Sequence, residues 1–423
     1  DHSAAITDKA NHAGDGVTCQ YCGMVNCTMA HFETNDGGSV MVMGGIPLWL
    51  FLFGIGGVIV FSFLATEWFA FKDDYGFKID LSKNKTVYRI LKNRWVQVVP
   101  QLITMGALVF LIYAGLFGSR VANITPIAVW TIWWAALIFG VLFFGSLWCF
   151  VCPWDGVANL VSRLSFSKKT EGISLGFEFP ESLKNMYPAI ALFTLLTWLE
   201  LGYGVTTNPR STAYMALAMT AAAVMAALVW KGKRFCAHFC PVGRICGMYS
   251  NFSPVEIRSR KPATCAACKT EDCLKGNRDG YPCPTGLSLK TVDNATMCIA
   301  CTECFKSCDK NNVAINVRPF AQDLENITSP KLDEAWMAIM LLALTLFHGL
   351  SMTPTWESFE PGSMSILKWM AVTFGTPKIV NFSVGMAVVV ATPVGLYWLC
   401  CALSARWAAG GVTTKTLFVH YAY

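Results

Sequence analysis

Charge is scarce in this chain. Asp, Glu, Lys and Arg make up 14% of its 423 residues, against about a quarter in ordinary soluble domains. That excludes a water-soluble globule as the main architecture and points to an integral membrane protein. Histidine is sparse as well. Of His2, His12, His31, His238, His348 and His420, only His348 falls inside an apolar run, so the chain by itself lacks the imidazole pair of a membrane haem b. No Gly-rich phosphate loop and no hydrolytic triad pattern occur, which excludes nucleotide hydrolysis and serine-type hydrolysis. Cys19-x-x-Cys22 is followed by Gly23 rather than histidine, so haem c attachment is excluded. Residues 1–40 hold no apolar signal core and no methionine opens the chain; a cleaved leader or a later start in the gene product is expected.

Apolar runs are abundant. Seven are long enough for roughly 30 Å of hydrocarbon: residues 44–68, 96–118, 127–148, 187–205, 212–230, 334–353 and 379–403. The stretch Trp356–Phe374 is interrupted by Pro361, Gly362 and Lys368 and reads as an interfacial helix or cap. Lys and Arg concentrate in 70–94, 153–186 and 231–333, the last holding fifteen, while the loops between carry Arg120 and Arg210. The positive-inside rule puts the rich segments in the cytoplasm, the N-terminus outside and the C-terminus inside, as in a bacterial-type inner membrane. The expected fold is mainly α: a polytopic helix bundle of about seven spans with a small α+β ferredoxin-like module inserted. Its segments are an external tail at 1–43, membrane helices at 44–230, a cytoplasmic module at 231–333, the last helices at 334–404 and a cytoplasmic tail at 405–423. The basic segment 70–94 fits a face beside anionic lipid, not a nucleic-acid partner.

Eighteen cysteines stand out against this background. A disulfide scaffold would be short and polar, so metal or redox chemistry is the better reading. The run "CIACTECFKSCDKN" matches the C-x2-C-x2-C-x3-C spacing of two-cluster bacterial ferredoxins, with Asp309 in place of the closing proline. The preceding run, from Cys265, has spacings C-x2-C-x4-C-x9-C-P. Because the fourth cysteine of each run ligates the other cluster, two sets are expected to hold two [4Fe–4S] clusters. They are Cys265, Cys268, Cys273 and Cys308, and Cys298, Cys301, Cys304 and Cys283. Two zinc sites of four thiolates are the alternative.

Two cysteine–proline motifs follow spans: "WCFVCPWDG" with Cys149 and Cys152, and "FCAHFCPVGRICG" with Cys236 and Cys240. They read as a weak internal repeat whose four thiols could hold a further metal centre or act as dithiols. Buried packing residues are the bland alternative, and it is the expectation for Cys246, Cys400 and Cys401. In the tail, Cys19, Cys22, Cys27 and His31 could hold zinc, copper or an iron–sulfur cluster, or could form one disulfide and a free thiol. Glu67 and Glu200 near span ends could serve quinol deprotonation. Trp130, Trp133 and Trp230 are expected in an interfacial belt.

Paired cysteine–proline motifs after spans, followed by a two-cluster ferredoxin module, resemble the membrane polyferredoxin families NapH, NosR and CcoG over roughly residues 95–325. The external N-terminus and final spans are most similar to NosR, without its flavin domain. The first motif departs from that pattern, being C-x2-C-P rather than C-x3-C-P. The resemblance implies an electron-transfer subunit of a membrane redox complex, not a complete enzyme, that exchanges electrons with quinone or an external partner. Other subunits, a haem or flavin protein among them, would complete the path. The alternative within the same families is a reductive maturation factor for an external metalloenzyme.

Overall fold

The computed structural model describes residues 30–35, 38–43, 47–70, 77–120, 122–164, 173–325, 327, 330–357, 364–408 and 411–422. The chain divides into two compact units, residues 1–73 with 343–391, and residues 74–342 with 392–423. The stretch 231–333 therefore shares a unit with the preceding membrane helices.

In the first unit, strand β1 (Ala30–Asn35) pairs antiparallel with β2 (Gly38–Met43), in register from Ala30–Met43 to Asn35–Gly38. Helix α1 (Leu48–Ala70) follows. Around residue 349 the unit is close-packed: a Cβ on Gly349 would lie 2.3 Å from the Phe51 ring. Phe347, Trp356 and Phe382 meet edge to face. Part of the stretch expected as an interfacial helix forms the nine-residue helix Ile366–Phe374.

The second unit opens with the short strand β3 (Ile79–Asp80) and helices α2 (Lys85–Lys92) and α3 (Trp95–Phe117). Then come α4 (Ile124–Phe144), α5 (Leu147–Val151), α6 (Pro153–Arg163), α7 (Tyr187–Gly202), α8 (Pro209–Val229) and α9 (Pro241–Ser250). Strand β4 (Val255–Ser259), helix α10 (Glu303–Ser307) and strand β5 (Val313–Val317) complete the thiol-rich region. Helices α11 (Leu332–Ser351) and α12 (Lys378–Trp407) precede a final helix, α13 (Thr414–His420). Phe418 and Val419 of α13 pack on Ala335, Ile339 and Cys401, which explains the burial of Cys401.

Among the described residues, five helices, α3, α4, α8, α11 and α12, are long and apolar enough to cross a membrane, so the structure is a helical membrane bundle. The other two expected spans fall on α1, apolar over Trp49–Leu64, and on α7, Tyr187–Gly202. The 16 residues of α7 rise about 24 Å at 1.5 Å each, short of ~30 Å of hydrocarbon. Gly204, at φ +60°, turns the chain just after it.

The small sheet has the order β3-β5-β4, all antiparallel. It thus recruits a strand from before the first of the long helices. A buried charge network closes it: Glu256 meets Lys78 at 2.6 Å, Arg318 at 3.0 Å and Arg258 at 3.5 Å, and Arg258 binds Asp323 at 2.9 Å.

Candidate functional site

Both cysteine–proline motifs have the same local construction. Cys152 and Cys240 are N-caps, and Pro153 and Pro241 occupy the first turns of α6 and α9. Proline suits that place because its missing N–H would be unpaired there anyway. It therefore opens the next helix as well as ending the last. The Cys240 Sγ accepts from Gly243 N–H at 3.3 Å, an arrangement in which helix-end N–H groups face sulfur and favour negative charge on it. A π-helical stretch accompanies each motif, Ile127–Trp133 in α4 and Phe235–Phe239 around Cys236. Such stretches are rare and recur at functional sites.

The two motifs, eighty-odd residues apart in sequence, come together. Cys152 lies within electrostatic range of Cys240 and Cys149, and Cys236 within that of Cys240 and Cys152. Cys149 faces Cys246, a fifth thiol that is fully buried in the same cluster. Asp155 is buried beside them. It accepts from Lys233 at 2.7 Å, Asn159 at 2.9 Å and Gln101 at 3.0 Å, and lies 3.9 Å from the Cys236 Sγ. Burial pushes the free Cys240 thiol up to about 12 and raises Cys236 well above its ordinary value. Without metal, these sulfurs are neutral thiols; metal binding would release their protons.

The ferredoxin-like thiols line two adjoining cavities. One is lined by Cys265, Cys268, Cys273 and Cys308. The other is lined by Cys283, Cys298, Cys301 and Cys304, with Cys273 shared between them. Long-range ties fold the Cys283 loop onto α10. Tyr281 N donates to Glu303 at 2.9 Å, Asn277 donates to the Ser307 carbonyl at 2.7 Å, and a Cβ on Gly280 would lie 2.1 Å from Ser307 Oγ. Ala300 and Thr302, on either side of Cys301, are left-handed at φ 51° and 58°. Alternation of this kind makes backbone nests that hold anions, iron–sulfur sites included. Donors to sulfur recur: Leu287 N–H to Cys283 at 3.3 Å, Asn312 N–H to Cys308 at 3.4 Å and Asn312 Nδ2 to Cys265 at 3.2 Å. Burial raises Cys304 well above its ordinary value and Cys301 to about 12.

The second cavity also adjoins the cysteine–proline site. Cys298 lies within electrostatic range of Cys149, and Lys233 within that of both Cys301 and Cys236. A joint is stitched between α9 and the segment before Cys298: Asn251 donates to Thr296 Oγ1 at 2.9 Å and accepts from Ala295 N–H at 3.0 Å. There is no room for a side chain between them, since a Cβ on Gly247 would lie 2.0 Å from the Thr296 carbonyl oxygen. Arg163 stacks over Tyr281 at 3.5 Å from the other side.

Among the described residues, no three His, Cys, Asp or Glu side chains form a group that could hold a single metal ion. Buried polar atoms without partners include Ser146 Oγ, the indole nitrogens of Trp133, Trp148 and Trp154, and Nε and Nη2 of Arg244; the three indoles pack in the clusters that hold Cys149, Cys236 and Cys240.

Trp130 and Trp133, read from the sequence as belt residues, line an apolar cavity of about 370 Å³ in the membrane part. Trp133 stacks on Trp134 at 5.3 Å and meets Trp148 at 5.3 Å. Trp230 packs against Phe179 and Phe239. The bundle interior takes up these indoles. Cys19, Cys22 and Cys27 lie outside the described residues, and His31 belongs to β1.

Apolar helices that deliver thiols in sets of four, with amide donors on the sulfurs, are the frame of an iron–sulfur protein. The 4Fe-4S binding domain family matches residues 127–173 and 212–261, each stretch running from an apolar helix through a cysteine–proline motif. No curated protein and no solved structure matches the chain. Over these two stretches the match supports 4Fe-4S cluster binding of the ferredoxin-like kind, which suggests a role in electron transfer. The match ends before Cys265, so it bears on the motifs whose spacing is the less specific of the two kinds. Sequence reasoning passed over Arg244, whose signal was a lone cation inside "CPVGRICG".

Proposed function

We propose that the chain is the electron-transfer subunit of a membrane redox complex, carrying three cluster sites in a row. Cys265, Cys268, Cys273 and Cys308 would hold the outermost. Cys283, Cys298, Cys301 and Cys304 would hold the next, and Cys149, Cys152, Cys236 and Cys240 the one beside the membrane helices. Bound there, [4Fe–4S] clusters would supply one-electron redox chemistry. The carrying observation is contiguity: Cys273 lines both ferredoxin-like cavities, and Cys149 lies within electrostatic range of Cys298. The protein's own residues fix this spacing, exclude water by burial and offer hydrogen bonds to sulfur, which tune potential. With the basic segments in the cytoplasm, the first two sites face that side.

The electron partner on the membrane side is a lipid-soluble quinone. Support comes from the apolar cavity, whose wall includes Trp148, Pro153, Trp154, Pro241 and Val242 from the two cysteine–proline turns. Its 370 Å³ is within the range of cofactor pockets. Glu200 lines it as well, a carboxylate at membrane depth and so a functional residue by default.

The test of the whole reading is anaerobic purification with metal analysis and EPR. About twelve irons per chain are expected, four for each cluster. Zinc in place of iron would end the proposal. The quinone step has its own test. Ala216→Phe fills the cavity from α8, and is expected to slow reduction of the clusters by a short-chain quinol at least about tenfold while leaving iron content unchanged. An unchanged rate would leave the cavity without a role.

A further inference from the structure

The geometry points to Arg244 as the built-in counter-charge of the cysteine–proline cluster site, a positioning residue that favours the more negative, reduced state of what is bound there. The inference rests on the proposal that those thiols ligate a cluster.

Arg244 lies one turn into α9, four residues after Cys240, and is fully buried. One nitrogen, Nη1, donates to the Thr296 carbonyl at 3.3 Å and to Met297 Sδ at 2.7 Å. Nε and Nη2 have no partner. The guanidinium lies within electrostatic range of Cys149, Cys236, Cys240 and Cys246. Asp155, the buried carboxylate beside Cys236, is already held by Lys233 at 2.7 Å, so that pair cancels and leaves Arg244 uncompensated.

A buried guanidinium without an anion is strongly unfavourable, and arginine has no escape by deprotonation. What makes the position tenable is negative charge that arrives with a thiolate-bound cluster. Four thiolates on a cubane carry net negative charge, which grows by one on reduction. A fixed cation at this range stabilises the reduced form more than the oxidised one. Lys233 cannot substitute, being spent on Asp155.

The experiment is a redox titration of the iron–sulfur EPR signals in the full chain, comparing wild type with Arg244→Met and Arg244→Lys. Methionine removes the charge and keeps the bulk. One cluster is expected to titrate at lower potential, its reduced-to-oxidised ratio falling at least tenfold at a given potential (about 59 mV for one electron), with iron content and the other signals unchanged. Lysine is expected to give a clearly smaller shift. Loss of about four irons in the methionine variant but not in the lysine variant would support the same role. Full iron with no shift would overturn the inference, and so would equal shifts or equal iron loss in both variants, which mark packing and not charge. The underlying reading is checked separately: a Cys152→Ala protein that keeps all its iron sinks the ligand assignment itself.

Discussion

Replacing Cys152 with alanine is expected to strip about four irons from each chain, a third of the total, and to abolish one EPR signal while sparing the others. Cys152 is buried and is the N-cap of α6, next to Cys149 and Cys240. A buried cubane that loses one of its four thiolates is left with an unligated iron, and the whole cluster is expected to be lost. The binding free energy of such a group is also folding free energy, so thermal stability of the loaded protein should fall too. Cys246 provides the control. It is equally buried and faces Cys149, yet it stands outside both cysteine–proline pairs, so Cys246→Ala is expected to keep full iron. If the two variants exchange behaviours, Cys246 is the ligand. If neither loses iron, the family match over 127–173 and 212–261 reflects shared helices alone.

Glu256→Gln is expected to destabilise the thiol-rich region by about 3–5 kcal/mol, the usual effect of breaking a buried ionic network by removing one partner. Glu256 is 4% exposed and sits on β4. Its carboxylate meets Lys78, Arg258 and Arg318, and accepts from Asn316 at 2.8 Å. Glutamine leaves Arg318 with Asp323 as its remaining acid. Burial alone would raise the acid's pKa; the Lys78 hydrogen bond and the charges of Arg258 and Arg318 outweigh it and hold Glu256 below its ordinary value. The sign of the pH effect follows. A depressed carboxyl contributes stability above its unfolded pKa of about 4.3, and that contribution is lost as pH falls through the folded value. Wild type should therefore lose stability in acid below about pH 4.3 more steeply than the glutamine variant, whose unfolding midpoint should be flatter with pH. Parallel curves for the two proteins would remove Glu256 as the source.

Much of the candidate site was legible because cluster ligation is local. Spacings of two and three residues between thiols reflect the tight turn that presents several sulfurs to one small core, and Ala300 and Thr302 show the backbone doing so. Crossing the fourth ligands followed from the same spacing; one cavity is lined by Cys265, Cys268, Cys273 and Cys308, and the other by Cys283, Cys298, Cys301 and Cys304 together with Cys273. Helix ends were less legible. Residues 187–205 are apolar enough for a span, but apolarity does not reveal that the helix stops at Gly202. Tryptophans mislead for a related reason. An indole near a span end suits an interface and a bundle interior equally, and only neighbours such as Trp148 and Trp154 decide.

By itself the sequence determined that this protein is a helical membrane chain rich in metal-binding thiols, since hydrophobic length and ligand spacing are short-range properties written residue by residue. The tertiary structure alone decided that the motifs at Cys149–Cys152 and Cys236–Cys240 come together near Cys298, and that Arg244 is buried among them. The reason is that burial and charge pairing depend on which distant segments close on one another, here through the glycine contact of α9 with Thr296, and no local pattern encodes that closure.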